Sequence, residues 1–243
     1  MSTYLKNKVV IITGASRGIG RATARLFAYE GCNVAASGRT KTELDSLVKE
    51  IEMEGGRAIS VVADGTRKAE VEKMVEASIT KFGKVDILVN NAGMGIYGEV
   101  AEITEEDFDT MVGINFKGVF LATKAVLPAM IKQRSGHIIT VSSVAGKRPV
   151  PKMAVYSGTK HALDGFCKSL AKEVKPHNIR MSLIYPGMVD SHFREKMTNR
   201  PKYSSEERTR MLTSDDIARA IVFLANQSPT SMIDELEINA PLF

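Results

Sequence analysis

Val9-Val10-Ile11-Ile12-Thr13-Gly14-Ala15-Ser16-Arg17-Gly18-Ile19-Gly20 decides the fold: a short apolar run ends in a glycine-rich turn, and a segment of helical period, Ile19–Glu30, follows at once. Four β-branched residues in a row suit a strand buried on both faces. A helix amino end offers unpaired N–H groups and a partial positive charge, and glycines there let a pyrophosphate approach the backbone. Gly14, Gly18 and Gly20, with Ser16 and Ile19 among them, are therefore candidate contacts to a dinucleotide. The spacing Gly-x-x-x-Gly-x-Gly is not the commoner Gly-x-Gly-x-x-Gly, and no Lys-Ser/Thr follows as a P-loop requires.

The same alternation continues along the chain. Strands are predicted at 8–13, 33–37, 58–62, 87–90, 137–142 and 180–185, and helices at 19–30, 41–54, 68–82, 105–132, 156–174 and 214–226. Strand-helix alternation over 243 residues predicts one α/β domain: a doubly wound parallel sheet with helices on both faces. Gly31, Gly55-Gly56 and Gly83 fall where the first three helices end, and Thr104 with Asp107 resembles a helix start. Ile233-Asp234-Glu235-Leu236-Glu237-Ile238 alternates apolar and acidic residues, as a half-exposed edge strand does. The polar stretch 188–211, containing Pro201, breaks the pattern and reads as a mobile substrate lid or as a plain surface loop.

Composition narrows the classes of function. The formal net charge is +5, yet basic and acidic residues are interspersed with no basic run, which argues against a nucleic-acid partner. No stretch approaches the ~20 uninterrupted apolar residues of a membrane span, and the amino end lacks a secretory core, so no membrane association and a cytoplasmic location are expected. Cys32 and Cys167 read as buried thiols in a reducing compartment. The four histidines have no metal-ligand spacing, and no metal site is expected.

Cofactor preference is read at the end of the second strand. A carboxylate about 20 residues past the glycines usually holds the ribose 2′-hydroxyl of NAD. Here the chain reads Ser37-Gly38-Arg39. Arg39, with Arg17 closing from the glycine turn, would accept a 2′-phosphate, which favours NADP(H). Asp64, after the third strand, would hydrogen-bond an adenine or cap the next helix.

Tyr156 and Lys160 stand four apart on a predicted helix, so their Cβ atoms lie roughly 5–6 Å from each other. An ammonium at that distance favours phenolate by roughly 2–3 kcal/mol, about two pKa units, which makes the tyrosine a usable acid/base. Ser143 lies upstream at the end of a strand. With the glycine turn, Asn90-Asn91-Ala92-Gly93, Asn115 and Pro186-Gly187, these motifs resemble the short-chain dehydrogenase/reductase family over essentially the whole chain. The resemblance implies a single Rossmann-like domain with a seven-stranded parallel sheet. It also implies homotetramers or homodimers packed through the helices at 105–132 and 156–174.

It further implies roles. Tyr156 would be the proton donor for carbonyl reduction, and Ser143 would hydrogen-bond the substrate oxygen. Lys160 would hold the nicotinamide ribose and lower the tyrosine pKa. Asn115 would help fix a water leading to Lys160, while Asn91, Ala92, Gly93, Pro186 and Gly187 would line the cofactor site.

Substrate contacts are expected from 94–97, 144–153 and 188 onward, with Met94, Ile96, Val150, Met153 and Met188 forming an apolar pocket. Lys147, Arg148, Lys152, His192 and Arg194 form a basic rim, either solvated or holding a substrate carboxylate. The ending Thr230–Ala240 lacks the Asp-Gly-Gly stretch usual in 3-oxoacyl carrier-protein reductases, which weakens that assignment. The leading expectation is an NADP(H)-dependent oxidoreductase that interconverts a ketone or aldehyde with a secondary alcohol or hydroxy acid. A 3-oxoacyl carrier-protein reductase-like enzyme and a non-catalytic NADP(H)-sensing protein are the alternatives.

Overall fold

The computed structural model describes residues 4–191, 193, 197 and 203–241. Seven parallel strands, β1 (Val9–Thr13), β2 (Asn33–Gly38), β3 (Arg57–Val62), β4 (Ile87–Asn90), β5 (Gly136–Val141), β6 (Ile179–Pro186) and β7 (Glu235–Ile238), form one sheet in the order β3-β2-β1-β4-β5-β6-β7. The order reverses between β1 and β4, which pair directly through Ile11 opposite Leu88. Open α/β sheets bind ligands at such a reversal, outside the carboxyl ends of the strands.

Successive strand residues point to opposite faces, and the apolar runs use both. Val10 and Ile12 pack with α1 (Gly18–Tyr29), α2 (Lys41–Met53) and α8 (Ser214–Ala225) on one side. Ile11 and Leu88 pack on the other with α3 (Lys68–Phe82), α5 (Gly118–Gln133) and α6 (Ala154–Val174). Each such fully buried aliphatic side chain contributes roughly 1.5–3 kcal/mol of transfer free energy.

The expected helix ends hold. Gly31, Gly55 and Gly83 all have positive φ, and Thr104 with Asp107 forms a reciprocal capping box at the start of α4 (Glu105–Val112). Ser204 and Glu207 do the same for the short α7 (Ser205–Thr209). The last strand begins at Glu235, two residues later than expected, and runs along the sheet edge with intermediate exposure throughout.

The region expected as one helix over 105–132 is a single helical run interrupted by a π turn, Gly113–Lys117, between α4 and α5. The run Glu105–Gln133 has the length and hydropathy of a membrane span by composition alone. Its apolar residues serve two faces of the protein: Leu121, Val126 and Met130 fill the core, while Phe108, Phe120 and Ile131 are exposed. Cys32 and Cys167 are both buried and unbridged, and burial pushes their thiols up to about 12 and about 11.

Candidate active site

A cavity of about 720 Å³ opens at the carboxyl edge of the sheet, where the strand order reverses. Its floor is the turn after β1. Gly14 has φ +65°, and a Cβ there would lie 2.9 Å from the Cα of Ala92; at Gly20 a Cβ would lie 2.2 Å from the Gly14 carbonyl oxygen. Gly14 therefore lets two loops meet, and Gly20 lets α1 begin directly beneath the turn. Gly20 lies behind the cavity wall, while Gly14, Ser16, Gly18 and Ile19 line it.

Asn91 braces this floor. Its Nδ2 donates to the carbonyls of Thr13 (3.0 Å) and Gly14 (3.1 Å), and the Thr13 hydroxyl accepts from the backbone N–H groups of Asn91 and Ala92. Thr13 went unremarked in the sequence reading beyond its place in the motif, although a hydroxyl at a strand end is the signal for such a stitch. Ala92, Gly93, Pro186 and Gly187 line the opposite wall.

Arg17 and Arg39 both reach the far end of the cavity, near the ends of β1 and β2. Arg17 is not idle there. Its Nε donates to Oε1 of Glu43 at 2.6 Å and its Nη2 reaches the same oxygen, so the guanidinium expected to close on a phosphate is paired with a carboxylate here. Glu43, in the first turn of α2, also lines the cavity, and the sequence reading missed it. Asp64 accepts from the N–H (2.9 Å) and hydroxyl (2.8 Å) of Thr66, hydrogen bonds that hold its carboxyl below the usual range. It thus closes the turn after β3 while remaining part of the cavity wall.

At the cavity's other end stand Ser143, Tyr156 and Lys160. Ser142 is buried with its hydroxyl aimed at the Lys160 carbonyl, whereas Ser143 accepts from the Ala145 N–H at 3.1 Å as the cap of a short 3₁₀ turn. Tyr156 and Lys160 lie on one face of α6, and the Lys160 ammonium sits 5.7 Å from the Tyr156 ring centroid. Lys160 is buried and donates to the Val141 carbonyl at 3.0 Å. Burial pushes its pKa down to about 8.

Asn115 does not line the cavity. It is buried in the π turn, where its Oδ1 accepts from the Met94 N–H (2.8 Å) and its Nδ2 donates to the Met94 carbonyl (2.8 Å) and the Thr159 hydroxyl (3.0 Å). The side chain is a brace behind Lys160, with its hydrogen-bonding capacity largely taken by protein groups.

Above Tyr156 the wall is apolar, with Met94, Val150, Met153, Met188 and Phe193; Ile96 packs in the small core cluster behind it. The Phe193 ring lies 5.7 Å from that of Tyr156. The basic rim is paired: Lys147 with Glu235, Arg148 with Glu237, and Lys152 with Glu99. His192, Arg194 and Pro201 lie outside the described residues.

A buried ammonium near a phenol and a serine lines one end of a glycine-floored cavity, and a family profile, short chain dehydrogenase, matches residues 8–202, which carry all three side chains. The chain belongs to the short-chain dehydrogenase family. It is 39% identical over 225 residues to the 3-oxoacyl-[acyl-carrier-protein] reductase FabG of Thermotoga maritima, covering 91% of this chain and 92% of that protein.

Two solved structures support the same membership. This short-chain dehydrogenase superposes with a TM-score of 0.88 on a 3-ketoacyl-(acyl-carrier-protein) reductase from Brucella melitensis complexed with NADH, at 32% identity and 98% coverage of both chains. A metagenomic short-chain oxidoreductase in complex with NADP superposes at 0.84, with 33% identity over 97% of this chain and 98% of that one. The protein is an oxidoreductase of the CH–OH/C=O class.

Proposed function

We propose that this short-chain dehydrogenase is an NADP(H)-dependent reductase of a ketone or aldehyde, reversible toward a secondary alcohol or hydroxy acid. The observation that carries the reading is the meeting of Ser143, Tyr156 and Lys160 at one end of a cavity whose other end holds Arg17 and Arg39.

The residues present fit a nicotinamide dinucleotide. The turn carrying Gly14, Ser16, Gly18 and Ile19 lines the cavity at the start of α1, where backbone N–H groups suit a pyrophosphate. Gly93, Pro186 and Gly187 offer a wall with little side-chain bulk, and the arginines suit a 2′-phosphate. When bound, the cofactor supplies or accepts the hydride at the substrate carbon.

The chain's own residues handle the oxygen. Tyr156 donates a proton to the carbonyl oxygen in reduction and takes one from the alcohol in oxidation. Ser143 hydrogen-bonds that same oxygen as negative charge develops on it. Lys160, 5.7 Å from the Tyr156 ring centroid, stabilises the phenolate electrostatically and would hold the nicotinamide ribose. Asn115 acts through position, holding the 94 loop and α6 together around Lys160. The apolar wall excludes water and receives the substrate's carbon skeleton; part of the segment 188–211, expected as a lid, lies outside the described residues.

A second reading, reduction of a 3-oxoacyl group on a carrier, is favoured by the Thermotoga and Brucella relatives, which are named as 3-oxoacyl- or 3-ketoacyl-acyl-carrier-protein reductases. The carboxyl-terminal sequence departs from that group, but the likeness over nine-tenths of both chains gives the reading more weight than the ending alone suggests. We further infer a cytoplasmic homotetramer or homodimer whose contact face includes the exposed Phe108, Phe120 and Ile131.

The test is a carbonyl screen that follows NADPH absorbance, with small ketones, aldehydes, 3-oxo acids and a 3-oxoacyl thioester as separate arms. Turnover of free carbonyl compounds supports the first reading, and turnover confined to the thioester supports the second. No turnover in any arm, with NADPH bound, would leave a cofactor-sensing protein as the account.

A further inference from the structure

Arg17 and Glu43 form an ion pair in the wall of the cofactor cavity. The Nε/Nη2 edge of Arg17, the edge with which a guanidinium grips a phosphate bidentately, is turned onto one carboxylate oxygen. Glu43 is held in place from both sides. Its backbone belongs to the first turn of α2, and its carbonyl accepts from Nη1 of Arg21 at 3.2 Å, while the Arg21 guanidinium also pairs with Glu50. Arg39 lines the same cavity four residues before Glu43. Arg17 and Arg39 therefore share this part of the cavity with two carboxylates, Asp64 and Glu43, and Glu43 already engages Arg17.

We propose that Glu43 sets cofactor selectivity by competing with the 2′-phosphate of NADP(H) for Arg17. The inference rests on the NADP reading above and deepens it. A 2′-phosphate that recruits Arg17 must separate it from Glu43, so one charge-assisted pair is exchanged for another and the net gain is small. Glu43 also presents a negative charge to the incoming phosphate. A ribose with free hydroxyls meets neither cost, because a carboxylate accepts hydrogen bonds from hydroxyls. The enzyme consequently separates NADPH from NADH less sharply than Arg17 and Arg39 alone would achieve. Glu43 stands in for the missing carboxylate at the end of β2, delivered from the next helix.

The experiment measures NADPH and NADH dissociation constants by calorimetry for the full-length wild type, Glu43→Gln, Arg17→Met and the double variant, with melting temperature as a fold check. Glu43→Gln is expected to tighten NADPH by about fivefold, the scale of one partly exposed ion pair, and to leave NADH unchanged or weaker. In the Arg17→Met background the gain should shrink to the part due to direct repulsion of the phosphate, because the competition needs both partners. An unchanged NADPH/NADH ratio in a folded Glu43→Gln protein overturns the proposal. So does a gain that is undiminished by removal of Arg17, or a loss of both cofactors in Glu43→Gln and Glu43→Ala alike, which would make Glu43 a brace. Arg39→Asp separates the two levels: if it reverses a wild-type preference for NADPH while Glu43→Gln is silent, the NADP reading stands and the role of Glu43 falls. A wild type that favours NADH, with Arg39→Asp silent, removes the NADP reading itself.

Discussion

Nδ2 of Asn115 donates to Oγ1 of Thr159 at 3.0 Å, which ties the π turn to α6 one residue before Lys160. The Thr159 hydroxyl in turn donates to the Tyr156 carbonyl at 2.7 Å, so Met94, Asn115, Thr159 and Tyr156 form one hydrogen-bonded series behind the cavity. Asn115→Ala leaves buried polar groups without their partner, a loss of roughly 2–4 kcal/mol. Calorimetry should show melting lowered by about 5–10 °C, with turnover reduced alongside. A melting temperature within about 2 °C of wild type would mean that the brace is dispensable.

Lys160 gives a pH signature. Its folded pKa, about 8, lies below the ordinary 10.5 because burial disfavours the ammonium. Between those values the unfolded chain binds more protons than the folded one, so this group's contribution to stability rises with pH across that window. Relative to Lys160→Met, the wild type should gain stability from pH 8 to pH 10.5 by an amount on the order of 3 kcal/mol. Parallel stability curves for the two proteins over that range would show that the amine is not buried as described.

Arg39 tests the phosphate end of the cavity. Arg39→Asp replaces a cation with the carboxylate that NAD-preferring sites place after the second strand. NADPH binding should weaken by at least about tenfold, and NADH binding by much less. Equal weakening of both cofactors, read by calorimetry, would discredit the 2′-phosphate assignment.

Gly20 tests the floor. A methyl group there would sit 2.2 Å from the Gly14 carbonyl oxygen, a backbone atom, so the turn must shift. Gly20→Ala should weaken NADPH binding by at least about tenfold and cost roughly 1–3 kcal/mol of stability from overpacking. Wild-type affinity in this variant would place the pyrophosphate elsewhere.

What the sequence disclosed was local chemistry. The β-branched run before Gly14 and the glycines closing the first three helices act within a few residues of themselves, so strands, caps and sheet class were readable from residue type. Tyr156 and Lys160 fall on one face of α6 by helical period alone. What stayed hidden depends on partners distant in sequence. Glu43 looks like any solvated helix residue until α1 brings Arg17 against it, and Lys147 and Arg148 look like a free basic rim until β7 supplies Glu235 and Glu237. The π turn at Gly113–Lys117 had only one local sign, a glycine at its start and another just past its end, and apolar periodicity does not resolve one extra residue per turn.

The central claim is that Tyr156 moves the proton while the rest of the cavity holds the cofactor. Tyr156→Phe removes one oxygen from a buried ring and leaves the glycine floor, Lys160 and both arginines in place. Paired measurement of steady-state carbonyl reduction and NADPH affinity in that variant is the direct test. Turnover should fall by about a thousandfold, the middle of the range for a lost general acid, with the NADPH dissociation constant within about threefold of wild type. Turnover equal to wild type would contradict the account.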